Sequence, residues 1–561
     1  MKTMQHPGGK ETRKYQADVL IIGGGIAGIV SALELLDSGK KIVLLDRDDP
    51  SKFGGLAKES FGGILMVGTP QQKLTGIKDN PEKAFQDWCR IADFGPEDNY
   101  PKLWAQYYAQ NCLRDIYHWL SKRGVRFFPV VHWVERGHHR KGNSVPRFHM
   151  VWGTGKELID SLVKVLNRHK NRRNLSVHFH HQVESLEFDN GVVVGCRGLV
   201  KNEGTHFEAV AEKTVVAAGG ICGNLDLVKK HWHTTLGTPP AYLLNGSHQY
   251  ADGKLHFEVE KIGGNLTHLD KQWNYAAGVH HPKPTKPLHG LSIVPPKSAL
   301  WMNYEGRRIG PSPLVSGFCT RFLIEEICKQ PKKYSWQVMN WKIAVKELAV
   351  SGAEYNDAIR DKNLFGFLKN ILLGNRKLVK DLTKNCIDFV VANSVEELAK
   401  KMNELTKDNS VNPGLLKAEI EKYDRMIDAQ QHAADEQLKK IAHLREYRGD
   451  RVRTCKFQKI LDSKAGPLIA IREFILTRKS LGGIQTDLQS RVLSQGGDPI
   501  PGLYAAGEAA GFGGGGIHGL RALEGTFLGS CILTAQAAAR SILGIQKVQR
   551  KEDSLRESEV A

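Results

Sequence analysis

The sequence predicts an α/β fold organised around a Rossmann-like nucleotide-binding domain. Residues 17–46 have the pattern of a strand, a glycine-rich turn, a helix and a second strand. A β-branched stretch at residues 214–218 runs into two glycines, and a strand-like stretch at 503–506 precedes a glycine-rich loop and an apolar helix. Strands that alternate with helices are typical of a mostly parallel sheet covered by helices.

The first of these elements is a dinucleotide-binding unit. After the apolar residues 19–22, the run GGGIAG at 23–28 fits G-x-G-x-x-G, and Asp46 ends the second strand. Its first glycine allows a tight turn, its second lets the backbone approach a pyrophosphate, and its third lets helix and strand pack closely. The helix N-terminus offers free N–H groups to the phosphates, and Asp46 can bind a ribose hydroxyl. We therefore predict a bound dinucleotide.

Further glycines indicate which dinucleotide this is. Gly54-Gly55 and Gly62-Gly63 follow the second strand closely, and the stretch at 214–218 ends on Gly219-Gly220. A nicotinamide enzyme has no particular need of this second permissive region. A flavin enzyme needs backbone that passes close to the isoalloxazine ring, and glycine allows such an approach. The predicted cofactor is FAD.

The glycine-rich loop at 502–525 is predicted to contact the same flavin. It contains a formal G-x-G-x-x-G, but no strand ending on an acidic residue follows, so a second Rossmann unit is not predicted. Glu508 can accept hydrogen bonds from ribityl hydroxyls, and the helix starting near Gly525 can point its positive N-terminus at the flavin. The residues predicted to contact the cofactor are Gly23, Gly25, Ile26, Ala27, Gly28, Asp46, Gly54, Gly55, Gly62, Gly63, Val183, Ala218, Gly219, Gly507, Glu508, Gly525, Thr526 and Phe527.

Composition restricts the compartment and the partners. No run of about 18 apolar residues occurs, so no membrane span is predicted. Nine cysteines are scattered without a C-x-x-C pair, which fits a reducing cytoplasm. The net charge of +19 comes without a nucleic-acid-binding motif, so no nucleic acid is expected as a partner. The histidine-rich runs lack metal-ligand spacing, so no metal is predicted. The polar residues 1–16 are predicted to be a disordered tail.

These motifs, together with LGGIQTDLQSRVLSQGGDPIPGLYAAGEAAG at 481–511, resemble the flavoproteins of the fumarate reductase and succinate dehydrogenase superfamily. The stretches FGGILMVGTPQQKLTGIKD, RFFPVVHWVERG and RALEGTFLG are most similar to bacterial FAD-binding dehydrogenases, a subgroup similar to 3-ketosteroid Δ1-dehydrogenases. The resemblance implies a discontinuous FAD-binding domain interrupted by an inserted α+β capping domain. The predicted FAD-binding parts are 17–245 and 456–545, the cap is 246–455, and 546–561 is a polar tail.

The resemblance also suggests catalytic residues. In fumarate reductases an arginine delivers the proton from a T-R-D motif, and Thr320-Arg321 matches it except that Phe322 replaces the aspartate. Arg521 matches the second family arginine, which binds a substrate carboxylate. Lys479 stands near the position of the carboxylate-binding histidine, and this difference counts against a simple fumarate reductase.

Steroid dehydrogenases use tyrosines to abstract a proton and to polarise the carbonyl. Tyr275, in QWNYAAG, is the first candidate for such a role. A packed aromatic side chain beside Trp273 is the alternative interpretation, because aromatic clusters usually belong to a core. Arg321 has a similar alternative as a surface residue.

Three functions stay open at this point. The first is an FAD-dependent dehydrogenation of a CH–CH bond next to a carbonyl, and the second is reduction of an activated C=C bond. The third is a non-catalytic flavoprotein that binds a partner or a membrane. Residues 50–70 contain no histidine, whereas respiratory relatives attach FAD to a histidine in this region, so non-covalent FAD is expected. Without a second nucleotide motif or paired cysteines, an external electron acceptor is expected.

Residues 361–384 combine an apolar stripe with surrounding lysines and arginines. This pattern is typical of a helix that lies on an anionic membrane surface. It is also the pattern of a cap helix whose stripe packs inward, and most amphipathic helices of globular proteins face a core in this way. The sequence therefore leaves open a peripheral contact with the inner face of the membrane.

Overall fold

The computed structural model describes residues 12–545. Its strands, β1 to β20 in chain order, are Arg13–Ile22, Ile42–Leu45, Gly63–Leu65, Phe148–Met150, Leu175–His178, His181–Asp189, Val192–Val200, Thr205–Val216, Leu244–Asn245, Leu266–Thr267, Gln272–His280, Gly290–Val294, Leu300–Met302, Tyr334–Asn340, Ala349–Val350, Phe389–Ala392, Leu468–Ser480, Gly483–Ile484, Arg491–Leu493 and Pro499–Ala505.

The α-helices, α1 to α19 in chain order, surround these strands. They are Ile26–Leu36, Gly55–Glu59, Pro70–Leu74, Pro81–Ala92, Asn99–Cys112, Trp119–Lys122, Thr154–Asn167, Leu225–Lys230, Lys254–Lys261, Thr320–Cys328, Trp341–Glu347, Asp357–Arg360, Leu364–Leu373, Arg376–Asn385, Val395–Thr406, Pro413–Asp428, Glu436–Glu446, Arg448–Arg451 and Thr526–Ile542. A π-helical segment, Leu113–His118, joins α5 to α6.

The first sheet is the Rossmann-like unit. Its order is β19-β20-β8-β1-β2-β5, with the β6-β7 hairpin attached to β8. Strands β20, β8, β1, β2 and β5 run parallel. Residues 19–22 of β1 and all of β2 are buried, as expected for central strands covered on both faces. Helices α1 and α19 share one apolar core with these two strands.

The N-terminal tail is shorter than the sequence predicts. Residues 13–16 belong to β1, where they pair in parallel with residues 207–210 of β8. Backbone hydrogen bonds to a long neighbouring strand order this polar segment despite its composition. The tail prediction is therefore wrong for residues 13–16, and residues 1–11 and the predicted tail at 546–561 lie outside the described residues.

The second sheet belongs to the inserted unit. Its order is β13-β14-β17-β11-β12-β15, and β9 and β16 also pair with β17. Its strand pairs are antiparallel except for β9 with β17. Because β17 lies at the centre of this sheet, the predicted cap boundary at residue 456 comes too early. The chain rejoins the first sheet only at β19.

The helices of residues 12–545 give no sign of a membrane span. None of them is both long enough and apolar enough to cross a bilayer.

Candidate active site

A cavity of about 1440 Å³ opens where four parallel strands of the first sheet end. Its wall includes the residues that follow β1, β2, β8 and β20, namely Gly23, Asp46, Ala217 and Ala506. Ligands of open α/β sheets bind at such carboxyl ends. A single small-molecule pocket measures about 300–1,000 Å³, so this cavity has room for a dinucleotide and a second molecule.

The glycine-rich turn after β1 forms one wall of the cavity. A Cβ atom built on Gly25 would meet nothing within 4 Å, so its place is open to an incoming group. The N–H of Gly24 donates to Oδ2 of Asp46 at 2.5 Å, and the N–H of Asp48 donates to Oδ1 at 2.7 Å. The carboxylate of Asp46 is thereby fixed at the end of β2. A bare backbone beside a fixed carboxylate fits the phosphates and ribose of a dinucleotide.

Most of the predicted cofactor residues line this cavity. They are Gly23, Gly25, Ile26, Ala27, Asp46, Gly54, Gly55, Gly62, Gly63, Val183, Ala218, Gly219, Glu508 and Phe527.

The other four predicted residues are not among the described residues that line the cavity, but they lie directly behind its wall. A Cβ on Gly28 would lie 1.9 Å from the carbonyl oxygen of Gly23, so this glycine lets α1 approach β1. Gly507 and Gly525 have φ of +70° and +99°, a backbone conformation that favours glycine. Thr526 hydrogen-bonds through Oγ1 to His518 at 2.7 Å. These four residues shape the backbone around the cavity.

Glu508 presents a carboxylate to the cavity. Its Oε1 accepts a hydrogen bond from the N–H of Ser480 at 2.9 Å. The other carboxylate oxygen has no hydrogen-bond partner among residues 12–545, and the side chain lines the cavity. Burial raises the pKa of Glu508 to about 7. A bound polyol would supply the donors that this oxygen lacks.

Three side chains from separate parts of the chain meet at the boundary of the two sheets. The hydroxyl of Tyr275 on β11 lies 3.1 Å from both carboxylate oxygens of Glu524, just before α19. The Nζ of Lys479 on β17 donates to the hydroxyl of Tyr275 at 3.3 Å and lies 3.9 Å from Oε1 of Glu524. The indole N–H of Trp273 donates to Glu524 at 2.9 Å. The first three residues line the cavity and form what we call the Tyr275 cluster.

The charges of the Tyr275 cluster follow from its burial. Burial and the neighbouring Glu524 raise the pKa of Tyr275 well above its usual value, so the phenol keeps its proton. Burial lowers the pKa of Lys479 to about 8, partly opposed by Glu524. The Nζ of Lys479 also lies 3.8 Å from the ring centroid of Phe527, a cation–π contact at the start of α19.

Glu135 is a second buried acid of the cavity wall. It is 5% exposed, and its carboxylate accepts hydrogen bonds from the N–H and the hydroxyl of Thr320. Its φ is +52°, which is unusual for a side-chain-bearing residue. Burial raises the pKa of Glu135 to about 8, and the charge of Glu524 adds to this shift. At neutral pH Glu135 is therefore an uncharged hydrogen-bond donor that faces the cavity.

The two predicted catalytic arginines lie close to each other. Neither of them is among the described residues that line the cavity. The Nε of Arg321 donates to Oε1 of Glu325 at 3.0 Å, and its Nη2 donates to Thr235 at 2.9 Å. Arg521 contacts the same oxygen of Glu325 at 3.5 Å and Asp93 at 3.3 Å. Of the three predicted catalytic residues, the structure thus brings only Tyr275 into the cavity wall.

Sequence reasoning did not identify Glu524 and Glu135. Glu524 lies in the RALEG stretch and Glu135 in the WVERG stretch, and both stretches resemble the bacterial dehydrogenases. This resemblance is the only indication of the two acids that the sequence offers. No spacing pattern marks them, because their partners Tyr275 and Thr320 are 249 and 185 positions away.

Within residues 12–545, one group of side chains could hold a metal ion. Atoms of Glu97, Asp98 and His268 lie within 4.8 Å of one another, although they come from two distant segments. His268 hydrogen-bonds to Asp98, and the Nζ of Lys271 lies 3.4 Å from the same carboxylate. Lys271 already supplies a positive charge at this position, so the group is accounted for as an ion-pair network.

Comparison with known proteins agrees with this geometry. A family model described as an FAD binding domain matches residues 18–528. A KsdD-like steroid dehydrogenase of Mycobacterium tuberculosis is 41% identical over 552 residues, which cover 95% of this chain and 96% of that protein.

Two solved structures share the fold at low sequence identity. The 3-ketosteroid delta1-dehydrogenase of Sterolibacterium denitrificans superposes with a TM-score of 0.70 at 15% identity and covers 95% of this chain and 100% of that one. A flavocytochrome c3 fumarate reductase superposes with a TM-score of 0.66 at 20% identity, over 95% of this chain and 78% of that one.

The predictions of an α/β fold with a Rossmann-like FAD domain, of FAD as the cofactor and of an FAD-dependent oxidoreductase are confirmed. The glycine turn, the fixed Asp46 and the open carboxylate of Glu508 line the cavity, and their chemistry fits the phosphates and hydroxyls of FAD. The chain belongs to the FAD binding domain family, whose model matches residues 18–528.

Proposed function

We propose that this chain dehydrogenates a CH–CH bond next to the carbonyl group of a steroid-like ketone. The observation that carries the proposal is the hydroxyl of Tyr275, held by Glu524 and Lys479 in the wall of the cavity that also contains the glycine turn. A relative that matches nearly the whole chain is named a KsdD-like steroid dehydrogenase, which supports a ketosteroid as the substrate class.

FAD, when bound, supplies the acceptor for the hydride that leaves the substrate. Tyr275 and Glu524 move the proton. The oxygen of Tyr275 takes a proton from the carbon next to the carbonyl while its own proton passes to Glu524, at a distance of 3.1 Å. The electron pair of the broken C–H bond stays on the substrate and enters the new double bond. This relay requires no free tyrosinate, which agrees with the raised pKa of Tyr275.

Glu135 is proposed to polarise the carbonyl. The developing negative charge on the carbonyl oxygen needs a hydrogen-bond donor that is already in place. The protonated carboxyl of Glu135 provides one, and the two hydrogen bonds from Thr320 fix its orientation. Thr320 is thereby given a positioning function in the segment where the sequence suggested a proton-delivering arginine.

Arg321 and Arg521 are proposed to act on substrate binding from a greater distance. Both arginines contact Glu325, and Arg321 follows directly after Thr320. Their shared carboxylate ties the start of α10, which carries Thr320, to the loop that carries Arg521. Their predicted role at the substrate thus becomes one of positioning the elements around it.

Reduction of an unsaturated dicarboxylate is the second candidate, favoured by the fold shared with the fumarate reductase. A dicarboxylate needs unpaired cations at the site. Lys479 is paired with Glu524, Arg321 with Glu325, and Arg521 with Glu325 and Asp93. Because the cations at the positions that the resemblance singles out already have acidic partners, these positions favour a neutral ketone.

An external acceptor is proposed to reoxidise the flavin. The cytoplasm is the proposed compartment, because the nine cysteines of the chain are free thiols. FAD is proposed to be non-covalent, and precipitation with acid should then release all flavin colour into the supernatant. Histidines from other segments, such as His181 and His248, do line the cavity. Colour that stays with the precipitate would therefore point to one of them.

Anaerobic mixing tests the activity. The purified flavoprotein is mixed with 3-ketosteroids, saturated acyl acids and succinate, and the flavin absorbance is followed. Bleaching by ketosteroids alone supports the proposal. Bleaching by succinate, or reoxidation of reduced enzyme by fumarate without any response to steroids, would favour the second candidate.

A further inference from the structure

Helix α13, Leu364–Leu373, has an apolar face that the described chain leaves uncovered. Leu364, Phe365, Leu368, Leu372 and Leu373 are between 47% and 80% exposed, and no residue of the helix is buried. We call these five residues the α13 face. A helix this apolar is normally buried against a core or a partner. Within residues 12–545, these five side chains do not pack inward.

Helix α13 also lies at the mouth of the cavity. Phe367 packs against Phe128 and Trp152, with ring centroids 4.8 Å and 6.0 Å apart. Other residues of α13 and α14 contribute to the cavity wall, namely Lys369, Ile371, Leu373, Arg376, Lys377, Lys380 and Lys384. The α13 face is therefore continuous with the mouth of the cavity, and basic side chains stand at that mouth.

Basic side chains surround the α13 face. Residues 357–384 contain seven lysines and arginines and three aspartates. Lys362 pairs with Glu157 at 2.7 Å, and Lys377 pairs with Asp357 at 2.9 Å. The remaining lysines and arginine of α13 and α14 are exposed and have no acidic partner within residues 12–545: Lys369, Arg376, Lys380 and Lys384. An apolar face inside a basic rim is complementary to anionic lipid headgroups above acyl chains.

We infer that the α13 face docks on an anionic lipid bilayer and places the mouth of the cavity at the membrane surface. A second copy of this chain is a poorer occupant, because a twofold contact through α13 would bring the two basic rims together. An apolar ketone dissolved in the bilayer would then reach the cavity past Phe367. The docking itself rests on exposure and charge and does not depend on the proposed dehydrogenase activity.

Vesicle co-sedimentation of the full-length flavoprotein tests this inference. The vesicles contain either phosphatidylcholine alone or phosphatidylcholine with phosphatidylserine, at low and at high salt. We expect pelleting with the anionic vesicles at low salt and its loss at high salt. Absence of pelleting with anionic vesicles at low salt would overturn the inference, whatever the steroid assay shows.

Two double variants locate the contact. Phe365→Ser with Leu372→Ser removes exposed apolar groups, and its control is Leu74→Ser with Val210→Ser, which are also exposed. Lys369→Glu with Lys380→Glu reverses two rim charges, and its control is Lys400→Glu with Lys417→Glu on α15 and α16. Because each basic residue contributes about 1 kcal/mol near an anionic surface, we expect the rim variant to bind at least about tenfold more weakly.

The controls should bind like the unmodified protein, and all four variants should keep their flavin absorbance. Equal binding by the α13 variants and their controls would overturn the inference. Sedimentation velocity tests whether a second copy of this chain occupies the α13 face instead. A dimer that the Phe365→Ser, Leu372→Ser variant converts to monomer would show that a second copy covers the α13 face, and would equally overturn it.

Discussion

The hydroxyl of Tyr275 lies 3.1 Å from both oxygens of Glu524, although the two residues are 249 positions apart and belong to different parts of the fold. Tyr275 comes from the sheet of the inserted unit, and Glu524 directly precedes the helix that packs on the first sheet. The proposed proton relay therefore exists only while these two parts stay in contact.

Replacing Tyr275 tests the relay. Tyr275→Phe removes the hydroxyl but keeps the ring, so the FAD content should not change. Reduction of the flavin by a ketosteroid should slow at least about 100-fold, the contribution typical of general acid–base catalysis. Anaerobic stopped-flow absorbance measures this rate. The matched control is Tyr304→Phe, because Tyr304 also bonds to a glutamate but lies outside the lining of the cavity as described; equal rates in the two variants would contradict the assignment.

The raised pKa of Glu135 predicts that the rate of flavin reduction depends on pH. Its pKa is raised to about 8, so the carboxyl holds its proton below this pH and loses it above. If the proton polarises the carbonyl, flavin reduction should fall as pH rises through about 8. Glu135→Gln offers a neutral donor at every pH, so it should stay active and lose this alkaline decline.

Lys479 titrates in the same range, because its pKa is lowered to about 8. Lys479→Arg keeps the positive charge through this range and serves as the control. The rate profile of this variant should still decline above pH 8. A profile that is flat in Lys479→Arg but unchanged in Glu135→Gln would assign the pH dependence to the lysine instead.

Replacing Glu508 is expected to weaken the binding of FAD. One of its oxygens is held by Ser480 and the other is open to the cavity. Glu508→Ala removes an acceptor for charge-assisted hydrogen bonds and should weaken FAD binding roughly tenfold or more. Asp498→Ala is the control, since Asp498 is exposed in the turn between β19 and β20. The flavin-to-protein absorbance ratio after dialysis should separate the two variants, and equal ratios would refute the assignment.

Arg521 predicts an effect on substrate without an effect on FAD. Arg521→Gln breaks the contacts with Glu325 and Asp93. Bound flavin should remain, while the KM for the ketone should rise and flavin reduction should slow. Arg425→Gln, at an exposed ion pair on α16, is the control. Isolation of an apoprotein would show instead that Arg521 supports the fold of the cofactor site.

The residues that line the cavity beside the glycine turn could be predicted from sequence, and those around Tyr275 only in part. The glycine turn and Asp46 are read locally, because the turn, the helix start and the acid follow one another along the chain. Glu524 and Glu135 gain their function from distant partners, and nothing adjacent in sequence reports this. The sequence places β17 in the FAD-binding domain, whereas the structure places it in the second sheet. An apolar run predicts that a strand is buried, but it does not predict which strands pair with it. The sequence shows the stripe of α13, but the outward direction of this stripe depends on distant partners, because Phe367 packs against Phe128 and Trp152.

Strand β17 gives the two halves of the enzyme a common support. Along its length it is the central strand of the inserted sheet, and at its end Lys479 reaches Tyr275 while the N–H of Ser480 binds Glu508. The hydroxyl of Ser480 also accepts a hydrogen bond from the N–H of Ile221 at 2.7 Å, in the segment that leaves β8. A shift of this strand by a fraction of an ångström would alter the position of Glu508, the proposed ligand of the ribityl chain, together with that of Tyr275, the proposed proton acceptor. Substitutions in the second sheet, far from the cofactor, can therefore yield protein that has lost flavin. Flavin absorbance alone will not show whether such a substitution acts on the cofactor side or on the substrate side of the cavity.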